Sequence, residues 1–339
     1  MGDRYARQRV LPEVGAAGQA RLATARVLVV GCGGLGGPVA AYLAGAGVGQ
    51  LTLVDGDDVE VSNLHRQVFF AGPREQKNRN KARWLADHCR GLNPDVTVHA
   101  RPVRLGPTNV RPLVESATLV LECTDDPATK YCVNDACHLL GVPLVYAAVH
   151  RYDGYVALFP NAGPEDVHLR DLFPDPDPTL PDCATAGVLP TAVGLVALLQ
   201  ANAALNWLLE IGAPPVRQLL TYSALDNAQR RIALRKTYAG PPPRPWTTAA
   251  DWEVPPAAWA ERERFAGVFS LLTEAQEPEL PPGVVRISQR DPLAQCRARM
   301  RPGAEYLIYC RSGKLSLVLA GQLARAGLRA VSLRGGRRD

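Results

Sequence analysis

The sequence predicts an α/β fold: a Rossmann-like, doubly wound, mostly parallel sheet followed by a small second α/β domain. Short apolar runs alternate with helical patterns between residues 20 and 150. Such alternation is typical of a parallel sheet covered by helices on both faces. The segment GCGGLG at 31–36 follows the first apolar run and precedes a helical pattern. This arrangement indicates a phosphate-binding turn between the first strand and the first helix of the sheet.

The elements follow in the order that this fold requires. The predicted strands are Val27–Val30, Leu51–Val54, Val96–Val98, Leu119–Glu122, Leu144–Ala147 and 155–160, and helical patterns at Asn80–Cys89 and Lys130–Leu140 lie between them. Residues 161–182 are rich in Pro, Asp and Gly, which predicts a surface loop. The segments QLLTYSAL and RRIALRK, with an Asp-Asn turn between them, predict a hairpin.

Residues 184–209 carry no charge over 26 residues, which is long enough to span a bilayer. Pro190, Gln200, Asn202 and Asn206 interrupt this apolar segment, and neither flank carries a basic cluster. We therefore expect a helix buried in the core or in a subunit interface, and no membrane partner.

Composition limits the function further. The 339 residues carry a net charge of +5 and the arginines are scattered, whereas nucleic-acid binders concentrate basic charge on one face. We expect no nucleic-acid partner. The eight cysteines form no C-x-x-C pair and the first residues lack the apolar core of a signal peptide, so we expect a reducing cytoplasm.

Three segments divide the chain. Residues 1–237 are expected to form the nucleotide-binding domain, and 238–263 a Pro-rich linker. Residues 264–339 are expected to form the small domain, with a strand at EYLIYC, a tight loop at RSGK, a helix at Leu315–Ala326 and a strand at AVSL.

Polar side chains collect where the predicted strands end. In an open parallel sheet these positions share the carboxyl edge beside the glycine loop. The set offers one ribose acceptor, two cations and one acid that could hold a metal, which suits a triphosphate with Mg²⁺ better than a nicotinamide dinucleotide. The nucleotide-binding residues expected there are Gly31, Gly33, Gly34, Gly36, Asp55, Asp57, Asn63, Arg66, Gln67, Lys81 and Asp125.

The motifs RYARQ (4–8), GCGGLGG (31–37), DGDDVEVSNLHRQ (55–67), Lys81, CTDD (123–126) and DCATAGVL (182–189) occur in one order. In this the chain resembles the MoeB and ThiF adenylyltransferases, bacterial relatives of the ubiquitin-activating enzymes. The resemblance implies that ATP adenylates the C-terminal glycine of a ubiquitin-fold sulfur-carrier protein. It implies ribose binding by Asp55, phosphate contacts by Arg66 and Lys81, and Mg²⁺ binding by Asp125. It also implies a homodimer in which Arg7 reaches the ATP of the partner subunit.

The same resemblance assigns a catalytic role to Cys183, because relatives carry a cysteine there that can bond covalently to the activated carboxyl. Asp182 beside it should raise the thiol pKa, so any reactivity must come from the loop's surroundings. A small residue packed before the apolar helix is the structural alternative.

Many relatives also carry two C-x-x-C pairs that bind zinc. At the first position this chain has His168-Leu169-Arg170-Asp171, and near LRKTYAGP it has neither Cys nor His. Two ligands cannot close a tetrahedral site, so we predict no zinc.

Cys310 directly follows the EYLIY strand and precedes a turn and a helix, a setting that favours an anion on sulfur. This resembles the active loop of a rhodanese, where such a cysteine carries a persulfide, although the domain is short. A buried strand-end cysteine is the structural alternative.

The leading hypothesis is therefore an adenylyltransferase fused to a sulfur carrier. The donor would be a persulfide or thiosulfate, Cys310 would carry the sulfur, and the product would be a thiocarboxylate. One alternative is activation of a ubiquitin-like protein for conjugation through a Cys183 thioester. Another is a non-catalytic scaffold that binds a ubiquitin-fold partner. A nicotinamide oxidoreductase comes last, because no second-domain acid/base pair is evident.

Overall fold

The computed structural model describes residues 3–70, 79–174, 187–240 and 252–337. These residues form two compact units: the first comprises described residues of 3–125, 129–174 and 187–240, and the second comprises Asp126–Ala128 and residues 252–337. Each unit is built on a sheet with parallel strands and packed helices, and the predicted α/β fold class is confirmed.

The first unit contains an eight-stranded sheet with the order β3-β2-β1-β4-β5-β6-β7-β8. Strands β1 to β5 pair in parallel, and β5 to β8 pair antiparallel. The order reverses at β1, which places the loops after β1 and β4 side by side, where open sheets bind ligands. The strands are β1 (Arg26–Val30), β2 (Gln50–Val54), β3 (Thr97–Arg101), β4 (Leu119–Glu122), β5 (Leu144–His150), β6 (Asp153–Phe159), β7 (Gln218–Ser223) and β8 (Ala228–Ala233).

Helices lie between these strands, and two of them cover the predicted helical patterns Asn80–Cys89 and Lys130–Leu140. The helices of the first unit are α1 (Ala6–Arg9), α2 (Gly15–Thr24), α3 (Gly36–Ala46), α4 (Lys81–Leu92), α5 (Val110–Glu115), α6 (Pro127–Leu140), α7 (Leu169–Leu172) and α8 (Pro190–Leu209). Helix α3 begins directly after the glycine loop and ends at Gly47, whose φ of 84° is the left-handed value that favours glycine at a helix end.

Helix α8 is the uncharged segment of the sequence. Its length and composition would allow it to cross a membrane, but half of its most apolar stretch is buried inside the first unit. Val196, Ala197 and Ala204 are fully buried against the sheet and α3. Gln200 is also buried and donates hydrogen bonds to the carbonyls of Glu122 (2.9 Å) and Val145 (3.1 Å). The polar residue that interrupts the apolar run thus fastens α8 to the ends of β4 and β5, as a core helix requires.

The predicted surface loop at 161–182 is wrong over its central part. Val167, His168, Leu169 and Arg170 are buried, and α7 begins within this run. The guanidinium of Arg170 donates to both carboxylate oxygens of Asp135 on α6, at 2.9 and 2.7 Å. Burial of these polar side chains is tolerated because each finds a charged or hydrogen-bonded partner.

The second unit contains a five-stranded parallel sheet with the order β11-β10-β12-β13-β9. The predicted strands at EYLIYC and AVSL and the helix between them are all present. The elements are β9 (Glu253–Val254), β10 (Val268–Ser270), β11 (Val284–Arg286), α9 (Pro292–Arg299), β12 (Glu305–Tyr309), α10 (Lys314–Arg325) and β13 (Arg329–Leu333).

Part of the predicted linker belongs to this second sheet. β9 lies within the expected 238–263 linker and pairs in parallel with β13. The ring of Trp259 meets that of Tyr309 edge-on, with centroids 5.1 Å apart. Burial of aromatic surface against the second core therefore outweighs the Pro-rich composition in this stretch.

Candidate active site

The glycine loop makes a turn that side chains would block. Gly31 has φ 89°, and a Cβ there would lie 2.8 Å from the carbonyl carbon of Cys123 at the end of β4. A Cβ on Gly36 would lie 1.9 Å from the Gly31 carbonyl oxygen. These contacts bring the start of α3 tightly against the ends of β1 and β4. The free N–H groups at the start of α3 form a site suited to phosphate.

The segment that follows the second strand lies over this loop. A Cβ on Gly33 would lie 3.1 Å from Nε2 of Gln67, and one on Gly34 would lie 3.3 Å from the carbonyl oxygen of Arg66. The predicted cluster of Asn63, Arg66 and Gln67 is therefore brought to the glycine loop.

Asp55 ends β2 next to the same loop. Its Oδ2 accepts from the backbone N–H of Cys32 and its Oδ1 from that of Asp57, both at 2.8 Å. Burial raises the pKa of the Asp55 carboxyl, while the Lys81 ammonium and these two hydrogen bonds oppose the shift. Each oxygen keeps a second lone pair, which is what a ribose hydroxyl requires.

Lys81 is held beside Asp55 by the start of α4. Asn80 caps this helix, and its Nδ2 donates to the carbonyls of Asp55 (2.9 Å) and Asp57 (3.1 Å). The Lys81 side chain is 8% exposed, and its Nζ lies 3.5 Å from Oδ2 of the exposed Asp57. Sequence analysis missed Asn80, although an Asn before an apolar helical pattern is a typical cap.

The Gln67 side chain has an unsatisfied atom. Gln67 is 8% exposed, and its Oε1 is buried without a hydrogen-bond partner among the described residues. Leaving a buried acceptor unpaired costs about 1–3 kcal/mol. Arg66 beside it donates to Oδ1 of Asn63 at 2.8 Å, a neutral acceptor that leaves the guanidinium charge available. An orphaned acceptor and a cation that forms no ion pair with the residues the structure describes, both beside a phosphate-type loop, fit a bound nucleotide.

Asp125 follows β4 and is exposed at the same sheet edge. β4 pairs with β1 along Val27–Val30, so the Asp125 loop and the glycine loop are neighbours. An exposed carboxylate is a ligand that Mg²⁺ prefers. No group of three or more His, Cys, Asp and Glu in the described part of the chain could hold a metal ion. A single exposed carboxylate suits a Mg²⁺ ion whose other ligands are water and phosphate oxygens.

Arg7 is not brought to this site. Its helix α1 is fixed by Gln8, whose Nε2 donates to the carbonyl of Ala46 at 3.1 Å, and by Tyr5, whose hydroxyl accepts from Asn93 at 2.8 Å. Ala46 is the last residue of α3, about 16 Å along the helix from the glycine loop. The exposed Arg7 thus lies at the far end of α3 from the nucleotide site of its own chain.

All seven described cysteines are buried, and this includes Cys310, which is 3% exposed and packs in the core of the second unit, as the alternative of a buried strand-end cysteine requires. Cys32, Cys123 and Cys137 are buried, and burial raises the pKa of each thiol well above its usual value, as expected for structural cysteines. Cys183 lies outside the described residues, and its predicted role stays a prediction.

Cys310 follows β12 in the second unit. Its Sγ lies 3.5 Å from Oγ of Ser316, which in turn lies 2.8 Å from Oγ of Ser332. Gly313, with φ 78°, starts helix α10. The backbone N–H of Arg337 donates to the Cys310 carbonyl at 2.9 Å, so the last described residues close over the loop. Cys310 thus lies three residues before Gly313, the N-cap residue of the twelve-residue helix α10.

The two segments where relatives carry zinc ligands are joined here by Asp171. Its Oδ1 accepts from the backbone N–H groups of Thr237 and Tyr238, both at 2.7 Å. Its Oδ2 accepts from the N–H of His168 at 2.9 Å and lies 3.6 Å from Nζ of Lys236. The carboxylate oxygens are engaged by donors, so this residue set does not fit a tetrahedral zinc site.

Comparison with known proteins agrees with these features. The sequence profile of the ThiF family matches residues 5–240. The chain is 45% identical to a sulfur carrier protein adenylyltransferase of Thermus thermophilus, over 69% of this chain and 88% of the relative. It is 34% identical to a probable adenylyltransferase/sulfurtransferase MoeZ of Mycobacterium tuberculosis, over 98% of this chain and 91% of the relative. A SAMP-activating enzyme E1 of Haloferax volcanii is 43% identical, over 69% of this chain and 85% of the relative.

Solved structures agree on the fold. A crystal structure of Escherichia coli MccB with ATP superposes with a TM-score of 0.59 and 18% identity, over 71% of this chain and 74% of that chain. PaaA superposes with a TM-score of 0.54 and 23% identity, over 65% of this chain and 67% of that chain.

Proposed function

The chain belongs to the ThiF family, and from this premise we propose that it is an ATP-dependent adenylyltransferase and sulfurtransferase. Its substrate is the C-terminal glycine carboxylate of a ubiquitin-fold sulfur-carrier protein. The first product is the acyl-adenylate, and the final product is a thiocarboxylate. The relatives named adenylyltransferase and sulfurtransferase support both activities, and MoeZ does so along nearly the whole chain.

The observation that carries this proposal is the convergence of Asp55, Arg66, Gln67 and Lys81 on the glycine loop, with Asp125 on the neighbouring loop. In the adenylation step a carboxylate oxygen attacks the α-phosphorus of ATP, and the bond to the pyrophosphate breaks. Asp55 holds the ribose hydroxyls, and Arg66 and Lys81 place positive charge on the phosphates as the pyrophosphate leaves. Mg²⁺ held by Asp125 would neutralise part of the phosphate charge.

In the sulfur step a Cys310 persulfide attacks the acyl carbon, and AMP leaves with the bonding electron pair. The product is an acyl disulfide between the carrier and Cys310. A second thiolate then attacks the Cys310 sulfur, which releases the thiocarboxylate and leaves a disulfide on Cys310. The sulfur donor is a persulfide or thiosulfate. The position of Cys310 on the loop that leads into the N-terminus of α10 supports this step, because a helix N-terminus is a favourable setting for an anionic group.

Activation for protein conjugation through a Cys183 thioester is the second candidate. The relative named SAMP-activating enzyme E1 favours it. The two candidates share the adenylation step and differ in which cysteine receives the acyl group.

The test of adenylation is ATP–pyrophosphate exchange with a purified ubiquitin-fold carrier. We expect exchange by the wild type and none by Asp125→Ala, because the phosphate charge is then left without its metal. Substitution of an exposed acid on the helix that precedes β4, Glu115→Gln, should leave the rate unchanged. Wild-type exchange by Asp125→Ala would contradict the assignment of the metal to this residue.

The test of sulfur transfer is the intact mass of the carrier after incubation with ATP and thiosulfate or a persulfide donor. Cys310→Ala should leave pyrophosphate exchange intact and abolish the replacement of oxygen by sulfur. Cys183→Ala should leave AMP formation intact and remove any covalent carrier adduct. If the Cys310 variant makes the same thiocarboxylate as the wild type, the second unit is not the donor.

A further inference from the structure

A fully buried carboxylate lies directly behind the candidate active site. Glu122 is the last residue of β4, and its side chain has no exposed surface. It is paired in register with Tyr146 on β5. An isolated charge in such a position is strongly unfavourable, so its partners indicate why it is retained.

Lys130 on α6 is the counter-charge. Its ammonium contacts Oε2 of Glu122, donates to the carbonyl of Ala147 at 3.2 Å, and lies 4.9 Å from the ring centroid of Tyr146. The Lys130 side chain is 12% exposed. The pair therefore fastens α6 to the ends of β4 and β5 with charged rather than apolar contacts.

The second carboxylate oxygen of Glu122 serves the active-site loop. Oε1 accepts from the backbone N–H of Thr124 at 2.8 Å and also from the Thr124 hydroxyl. One side chain thus fixes both donors of the residue that immediately precedes Asp125. The Thr124 backbone, held in this way, is the point from which the chain continues to the exposed Asp125.

We propose that the Glu122–Lys130 pair is a positioning device for Asp125, acting through Thr124, and that it sets the metal affinity of the nucleotide site. This inference deepens the proposed function and depends on it for the assignment of Mg²⁺ to Asp125. Glu122 and Lys130 are positioning residues, since their described contacts are with other parts of the protein. Groups that orient a metal ligand in this way typically change metal affinity about 10–100-fold when they are lost.

The test compares two double variants, neither of which leaves a buried charge unpaired. Glu122→Met/Lys130→Met replaces the pair with apolar side chains and removes the acceptor for Thr124. Glu122→Gln/Lys130→Met also removes both charges but keeps an acceptor oxygen at position 122. Replacing both members of a buried pair is tolerated far better than removing one, so both variants are expected to fold. Thr124→Val, which removes only the hydroxyl donor, serves as a milder third variant.

The measurement is the affinity for a non-hydrolysable ATP analogue with and without Mg²⁺, by titration calorimetry, which needs no carrier protein. Mg²⁺ should raise the affinity of the wild type for the analogue. We expect this gain to be smaller by about tenfold or more in Glu122→Met/Lys130→Met, whereas the affinity of that variant without Mg²⁺ should stay close to the wild-type value. Glu122→Gln/Lys130→Met should keep most of that gain, and Thr124→Val should fall between the two.

A purely structural role would lower the thermal stability of both double variants and leave the effect of Mg²⁺ on affinity unchanged; that result overturns the inference. An equal loss in the Met and Gln variants also overturns it, because the acceptor for Thr124 would then not matter. If a double variant does not fold, the Mg²⁺ dependence of Thr124→Val decides. Failure of the proposed function gives a different pattern: the wild type would bind the nucleotide normally and show no pyrophosphate exchange with a carrier.

Discussion

At the residue scale, His168 is a buried imidazole among charged groups. Its ring stacks on that of His138 with centroids 4.3 Å apart, and Asp171, Lys236 and Arg170 surround it. Burial first, and then electrostatic interactions with His138 and Lys236, lower the pKa of His168 from 6.5 to about 4. The 3.8 Å contact of its Nε2 with Asp171 is therefore between a neutral ring and a carboxylate at neutral pH.

This shift makes stability depend on pH. Between pH 6.5 and 4 the unfolded chain binds a proton at His168 and the folded chain does not, so acidification through this window lowers the free energy of unfolding. The loss is at most about 3 kcal/mol. In His168→Gln the free energy of unfolding, measured by urea denaturation, should depend less on pH over this window than in the wild type. Substitution of the exposed His99 by Gln should leave this pH dependence unchanged. An unchanged pH slope in His168→Gln would contradict the assignment.

At the element scale, the Asp171 carboxylate makes the strongest of the contacts that join α7 to the chain that leaves β8. Burial raises the pKa of Asp171, but the N–H groups of Tyr238, His168 and Thr237 outweigh it, so the net pKa is lowered. The stabilisation that this implies is present above the ordinary Asp pKa and is lost as the pH falls through the folded value.

Asp171→Asn should lower the free energy of unfolding by roughly 2–4 kcal/mol, since an amide NH₂ cannot accept and Lys236 loses its charged partner while keeping the Asp166 carbonyl. Glu165→Gln, which alters an exposed acid close by, should have little effect.

Metal analysis of the wild type should find well below one zinc per chain. Chelator treatment should leave its melting temperature unchanged, and a chelator-sensitive melting temperature would show that a metal holds these segments.

The glycine loop gives a second prediction at this scale. Within α3 a Cβ at Gly36 would lie 1.9 Å from a backbone oxygen, whereas one at Gly45 meets only a Leu92 methyl at 3.9 Å. Gly36→Ala should abolish nucleotide binding and lower the melting temperature. Gly45→Ala should stabilise the protein by about 0.5–1 kcal/mol, because alanine loses less backbone entropy in a helix. Equal melting temperatures of Gly36→Ala and Gly45→Ala would show that the glycine loop can shift to accept a side chain.

At the scale of the whole molecule, the placement of Arg7 favours a shared active site. An exposed arginine about 16 Å along α3 from its own glycine loop can serve a nucleotide only in another subunit. We therefore propose a homodimer, whose mass by light scattering should be twice the 36.5 kDa of the chain.

Mixing inactive variants tests this arrangement directly. Arg7→Ala and Asp125→Ala should each be inactive alone, because every site lacks one of the two groups. In a mixed dimer one site combines Asp125 from one subunit with Arg7 from the other. Refolding the variants together in equal amounts should then restore roughly a quarter of wild-type exchange activity, as random pairing of a C₂ dimer gives. No recovery would mean that Arg7 does not act across an interface.

The glycine loop, the order of strands and the acids at the strand ends were predictable because they are local. A φ of 89° at Gly31, a ribose acceptor at the end of β2 and alternating apolar runs each leave a mark within a few residues. The same locality explains why Asp55, Arg66 and Gln67 were identified correctly as neighbours of the loop. Glu122 ended a predicted strand, but nothing in the segment LVLE indicates that its carboxylate is buried.

The sequence by itself therefore determined the sheet, the nucleotide-type loop and the family resemblance. Tertiary structure decided which charges are buried and what they join. Lys130 is eight residues from Glu122, and Thr237 is 66 residues from Asp171, yet each pair is in contact. Whether a charged side chain is solvated or buried depends on which distant donors the fold brings to it, since burial is unfavourable until those partners arrive. For this reason the sequence predicts a loop at residues 167–170, whereas in the folded protein these residues form part of the core.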